Sequence, residues 1–290
     1  MKKSILFASL CAGLILTACS TEDPVYTSTQ GFNVANLILP INENEDPFVQ
    51  TGTLTFEVES YSQMLKVATS ELIINNKNYS FNTQQMSYGI TEYGGFSFAA
   101  PYVYDGDNRI QSLRGVVTYN INNPKSLGID SNISGVNGVA DFGVACLVQY
   151  NIPDVAVVKT IQREAYYAGT VDTSVSGQDP FTSKSAVFRV ILDLEKRNAT
   201  VVVYNAKFNS QMPQLTFVLK DLDLIYTNNG YEIKGEEIVP IGADGSPYPG
   251  FPFNTFHFVA KGSDLSAADI DFTVSGRFIG KFSGSFLNQN

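Results

Sequence analysis

The stretch DIDFTVSGRFIGKFSGSF, residues 269–286, alternates apolar and polar side chains, with Ile270, Phe272 and Val274 in step and Phe278 after a break. A period of two puts those side chains on one face of a β-strand, so one face packs and the other meets water. Gly276, Gly280 and Gly284 recur every four residues through the same stretch. Glycine inside a strand marks a bend or a close approach, and a strand that closes a barrel has to bend sharply. The stretch therefore predicts the closing strand of an antiparallel barrel.

The same alternation runs upstream. TLTFEVES (53–60) sets Leu54, Phe56 and Val58 against Thr55, Glu57 and Glu59, and AVFRVILDLE (186–195) sets Phe188, Val190, Leu192 and Leu194 against Arg189 and Asp193. KRNA is a turn leading into TVVVYNAKF (200–208). In QLTFVLKDLDLIY (214–226) the phase changes at Lys220-Asp221, which predicts a bulge or corner. TNNG (227–230) is a hairpin turn, because Asn and Gly tolerate positive φ. Spacings of 8–12 residues between strands favour an all-β antiparallel barrel or sandwich over βαβ units. SDLSAADI (263–270) is the one helical candidate, a short plug capped by Ser263 or Asp264. Two β units are expected, residues 31–155 and 156–290, with Pro153-Asp154 at the change; one continuous structure is the alternative.

The order of the second unit resembles the calycin-like, lipocalin-like β-barrel domains of Bacteroides-type lipoproteins. The likeness spans roughly residues 165–290, from Tyr167-Ala168-Gly169 to the Gly-Lys-Phe-Ser-Gly ending at 280–284. It implies a barrel with an internal ligand cavity and carries over no catalytic residue.

The N-terminus gives an address. Lys2 and Lys3 precede an apolar run, Ser4 to Leu16, too short to span a bilayer. Leu16-Thr17-Ala18-Cys19 resembles the lipobox of bacterial lipoproteins. That implies a signal peptide at 1–18, cleavage before Cys19, acylation of Cys19 and a tether over 19–30. Glu22-Asp23 resembles the tag that exports such lipoproteins to the cell surface, with the periplasmic leaflet of the outer membrane as the other address. The chain carries 28 acidic and 19 basic residues, a formal −9. Nucleic-acid binding calls for a basic face, so that class is excluded. Cys146 is the one cysteine left beyond Cys19; its apolar neighbours read as core.

Catalytic chemistry is sparse. His257 is the one histidine, placed between Phe256 and Phe258 on a strand face with Thr255 and Val259. One histidine builds no multi-histidine zinc site, and no Gly-x-Ser-x-Gly elbow accompanies it. Asp105-Gly106-Asp107-Asn108 lacks the spaced oxygens of a calcium loop and reads as a turn. Asp221 and Asp223 read as solvated strand charges. No metal and no cofactor are expected. The aromatic run 88–104, with Tyr88, Phe96 and Phe98, reads as strand core. The richest loop is GADGSPYPGFPFNTF, residues 242–256. Its Tyr248, Phe251, Phe253 and Phe256, braced by proline, have two readings: a cap on the barrel end, or a platform that grips an apolar ligand or stacks on a sugar. His257 adjoins it as a further contact candidate. The expected function is a non-enzymatic, lipid-anchored envelope binding protein. Its ligand is a small apolar molecule or an envelope component. The alternatives are surface glycan binding in polysaccharide uptake and a structural or fimbrial accessory role.

Overall fold

A computed structural model of the chain describes residues 27–286 except 43, 60–61, 75–76, 91–95, 101–102, 106–107, 111, 119–144, 153–155 and 263. Cys19 and the expected signal lie outside the described residues. The described residues contain strands and turns and no helix.

The first sheet begins with β1 (Thr27–Pro40), β2 (Phe48–Glu59), β3 (Met64–Ile74), β4 (Lys77–Asn82), β5 (Met86–Ile90) and β6 (Phe96–Ala100). A small ribbon follows, β7 (Val103–Asp105) and β8 (Asn108–Ile110), whose pairing of Asp105 with Asn108 brackets the expected turn. The sheet is completed by β9 (Ser112–Thr118), β10 (Ala145–Ile152) and β11 (Ala156–Ile161). Its order is β2-β1-β11-β10-β9-β6-β5-β3-β4, and it curls until β3 also pairs with β2. Phe98 packs edge-on against Phe56 at 5.6 Å, inside this curl. β1 starts at Thr27, within the expected tether, and is paired with β2 from that residue on. β11, which a division at 155/156 gives to the second unit, is hydrogen-bonded to β1 and β10 in the first sheet. The sheets change between Ile161 and Glu164.

The second sheet holds β12 (Glu164–Val175), β13 (Phe181–Ser183), β14 (Val187–Asp193), β15 (Asn198–Ala206), β16 (Leu215–Thr227) and β17 (Gly230–Ile238). After β18 (Ile241–Gly242) come β19 (Phe253–Lys261), β20 (Ala267–Val274) and β21 (Phe278–Phe286). Its path runs β12-β14-β15-β16-β17-β19-β20-β21, and β21 returns to pair with β12 from Phe278↔Val175 to Phe286↔Tyr167. The result is a closed, eight-stranded antiparallel barrel. Eight strands leave an interior that side chains can fill. Phe188, Phe217, Phe256, Phe258, Phe272 and Phe282 fill it here, all buried.

The glycines of the closing strand act through space as well as through bending. Gly169 and Gly284 face each other across the closing pair, and a Cβ on either would run into the partner strand's backbone. A Cβ on Gly280 would occupy the place of the Phe272 ring. The phase change at Lys220-Asp221 is a bulge: β15–β16 pairing jumps from Ala199↔Leu222 to Val201↔Leu219, and Asp221 takes φ 56°.

One barrel end is shut. Ala35, Leu37 and Leu39 of β1 and Ile161 of β11 join the barrel's own apolar cluster. Their strand neighbours Ile38 and Val158 are buried too. β1 and β11 thus pack on both faces, which explains the unbroken apolar pieces Leu37-Ile38-Leu39 and Val157-Val158 within them. At the same end the Lys159 ammonium donates to the Asn229 carbonyl at 3.1 Å, and burial holds its pKa below the usual lysine value against the pull of Asp264. The expected helix at 263–270 is replaced by a tight turn. The Asp264 carboxylate accepts from the Ser266 amide and hydroxyl, at 3.2 and 2.7 Å. A side chain that satisfies a nearby amide competes with helix formation. Leu265, at φ 59°, is buried into the barrel end instead.

Beneath that plug the Tyr167 hydroxyl donates to the Leu265 carbonyl at 3.1 Å and lies 3.4 Å from the Tyr231 hydroxyl. Burial pushes Tyr231 up to about 12 and Tyr167 well above its usual value. The native state therefore keeps protons that the unfolded chain releases near pH 10, so stability is whole below pH 10 and falls as pH rises towards 12. A pH series of thermal melts should show the unfolding temperature dropping through that window. Tyr231→Phe should make the drop shallower, and an identical slope in the variant would refute the assignment. Gly280→Val should cost several kcal/mol by displacing the Phe272 ring, read as a lowered denaturant midpoint.

Candidate functional site

The other barrel end is open, and the aromatic loop surrounds it. Residues 239–252 connect β17 to β19 across this mouth. The loop is pinned by its own backbone: the Tyr248 amide donates to the Pro240 carbonyl at 2.8 Å, Gly242 to Ser246 at 2.8 Å and Phe251 to Tyr248 at 3.1 Å. The β20–β21 turn ties it from the far side. The Ser275 amide donates to the Pro252 carbonyl at 2.8 Å and its hydroxyl to the Gly250 carbonyl at 3.0 Å. The hydroxyl end of the Tyr248 ring packs against Gly242, where a Cβ would collide with it. Gly245 supplies the positive φ, 81°, that the turn demands.

This frame encloses a pocket of about 350 Å³. Tyr248, Phe251 and Phe253 line it from the loop side. Phe208 and Met212 line it from the segment between β15 and β16, joined by Leu215, Phe217, Val274 and Phe278 of the barrel wall. Phe208 sits at the centre of the floor, 5.5–6.5 Å from the rings of Phe217, Phe253, Phe272 and Phe278. Apart from the Tyr248 hydroxyl, held against Gly242, the lining carries no hydroxyl, amide or charge. Tyr248 is 39% exposed and Phe251 50%, whereas Phe253 is 3% exposed. A mouth of a β-barrel with an apolar lining is a common setting for a ligand.

The five residues singled out in the sequence do not act together. Tyr248, Phe251 and Phe253 share the pocket. Phe256 is buried inside the barrel behind Phe253, at a ring distance of 6.3 Å, and does not line it. His257 points to the outer surface, its Nε2 3.0 Å from the Glu232 carboxylate. Lys234 and His257 together hold Glu232 below the usual carboxylate range, with Lys234 the larger cause. Reasoning from sequence missed Phe208 and Met212. Their signal was an apolar pair in an otherwise polar connection, KFNSQMPQ (207–214).

A second, shallower depression of about 510 Å³ lies at the shut end, lined by Arg163, Asp193, Lys196 and Asp221. Asp193 and Lys196 pair with each other there at 2.9 Å, closing the β14–β15 hairpin. Asp221 belongs to the bulge and Asp223 is exposed. Among the described residues no group of three or more His, Cys, Asp or Glu side chains is placed to hold a metal ion.

No family model matches the chain, and no curated protein matches it. Among solved structures it is similar to intact Ap-TbpB with its N and C lobes: 11% identity, TM-score 0.27, covering 90% of this chain and 77% of that one. It is also similar to isotype 1 transferrin binding protein B from serogroup B Neisseria meningitidis, at 10% identity, TM-score 0.27 and coverage of 91% and 77%. A protein of unknown function from the DUF3598 family of Nostoc punctiforme shows 10% identity, TM-score 0.22 and coverage of 90% and 96%. Scores of this size carry no argument about what the chain binds.

Proposed function

We propose that this protein is a non-enzymatic binding protein of the cell envelope, held to the membrane by acylation at Cys19, and that its barrel takes a small apolar ligand at the open mouth. One observation supports the binding reading above the others: a preformed, wholly apolar pocket rimmed by two half-exposed aromatic side chains. Folding ordinarily removes such rings from water, at about 25 cal/mol per Å² of apolar surface. Tyr248 and Phe251 are instead kept outside by a loop that hydrogen bonds hold in place, so a ligand finds them already positioned. The glycan alternative is weaker at this site. A sugar ring buried there would lose water from its hydroxyls and find no partner in the lining, at a cost of roughly 1–3 kcal/mol each. The anchor reading rests on the sequence alone: Lys2 and Lys3, the short apolar run Ser4 to Leu16, and Leu16-Thr17-Ala18-Cys19.

The two readings of the loop make opposite predictions for neighbouring residues. Phe251→Ala should leave the melting temperature nearly unchanged, a change within about 0.5 kcal/mol, and should weaken uptake of an apolar fluorescent probe. Phe253→Ala should cost about 3–5 kcal/mol of stability. A large melting drop in Phe251→Ala with probe uptake intact would return the loop to a capping role. For the anchor, Cys19→Ala should move the protein from the membrane to the soluble fraction. Continued incorporation of labelled fatty acid into that variant would contradict the lipid assignment.

A further inference from the structure

We infer that the mouth pocket takes the alkyl tail of a single-chain carboxylate and that Arg277 pairs with its headgroup at the rim, an inference that rests on the apolar-ligand reading above. The lining offers no polar partner, so the buried part of the ligand is hydrocarbon and any polar group stays outside. The volume, about 350 Å³, matches about a dozen water-sized groups at ~30 Å³ each, which corresponds to a medium-length chain.

The rim supplies the charge. Arg277 stands in the β20–β21 turn, exposed, and makes no ion pair among the described residues. Its guanidinium lies over the ring of Phe278, 5.8 Å from the centroid, and Phe278 lines the pocket. The turn that carries it is fixed, because the Gly276 amide donates to the Asn254 side-chain carbonyl at 2.5 Å. Two acidic groups of this end are held by amide donors rather than by a cation. Glu237 accepts from the Asn254 side-chain amide at 3.0 Å, and Asp244 accepts from the Ser246 amide at 2.9 Å. On a chain of formal charge −9, an unpaired cation at the lip of an apolar mouth selects an anionic headgroup. A guanidinium fork fits a carboxylate with two parallel hydrogen bonds, and one cation balances one negative charge.

The test is calorimetric titration of the chain from residue 19 onward, carrying Cys19→Ala, in detergent-free buffer. The probes are dodecanoate, 1-dodecanol and dodecyltrimethylammonium, each below its micelle concentration. Dodecanoate should bind one to one and more tightly than the other two. Arg277→Gln should weaken dodecanoate by about three- to fivefold, as suits an exposed ion pair, and leave dodecanol within about twofold at an unchanged melting temperature. Added salt should narrow the difference between the two proteins. Equal affinity of all three probes, with Arg277→Gln indifferent, would overturn the headgroup assignment while leaving the apolar pocket standing. Tighter binding of dodecyltrimethylammonium would overturn it as well. Failure of every probe to bind, with Phe251→Ala no different from the parent, would remove the apolar-ligand reading and this inference with it.

Discussion

The structure depends on two strands 110 residues apart coming close enough to close a ring. β12 and β21 pair from Tyr167 to Val175, and two residues in from the Tyr167 end Gly169 meets Gly284 where no side chain fits. If that ladder did not close, the second sheet would have exposed edges and an interior open along its side. Closure turns a sheet into a container with two ends, and the two ends then have different fates. Leu265 and the β1–β11 face shut one of them. The proline-rich loop frames the other without filling it.

That difference follows from what each end has to pack against. At the shut end a second sheet is available, and burial of Leu37, Leu39 and Ile161 against the barrel is favourable at no cost in specificity. At the mouth only connections are available, and the loop between β17 and β19 is held by its own backbone hydrogen bonds, by the pairing of β18 with β16 and by the tie from Ser275. Its rings are positioned by that backbone rather than by burial. Phe253, at the first residue of β19, obeys strand alternation and turns inward; Phe251, two residues earlier, does not.

The parts legible in the sequence are those governed by local periodicity. Alternation in 186–195 and 214–226 marked both the strands and the bulge at Asp221, because a phase slip of one residue is visible wherever one face is apolar. The closing role of 278–286 was legible from Gly280 and Gly284, but 269–286 is not the single strand the sequence predicts: it is the β20–β21 hairpin, with Gly276 at φ 60° in its turn. The allegiance of β11 was not, because its partner β1 lies about 120 residues earlier and no local pattern records that pairing. The turn at 263–266 read as a helix start because Ser and Asp serve as helix caps and as turn formers alike. The pocket was half legible. Tyr248, Phe251 and Phe253 stood out by composition, while Phe208 and Met212 reach the mouth only once β15 and β16 are paired.

The central claim is a barrel shut at one end and receptive at the other, and methionine supplies a reporter for it. Met212 lines the mouth, whereas Met64 and Met86 lie in the first sheet. With ¹³C-labelled methionine methyls, addition of a short alkane at saturation should shift the Met212 resonance and leave those of Met64 and Met86 in place. Unmoved Met212, or shifts spread equally over all three, would contradict the account.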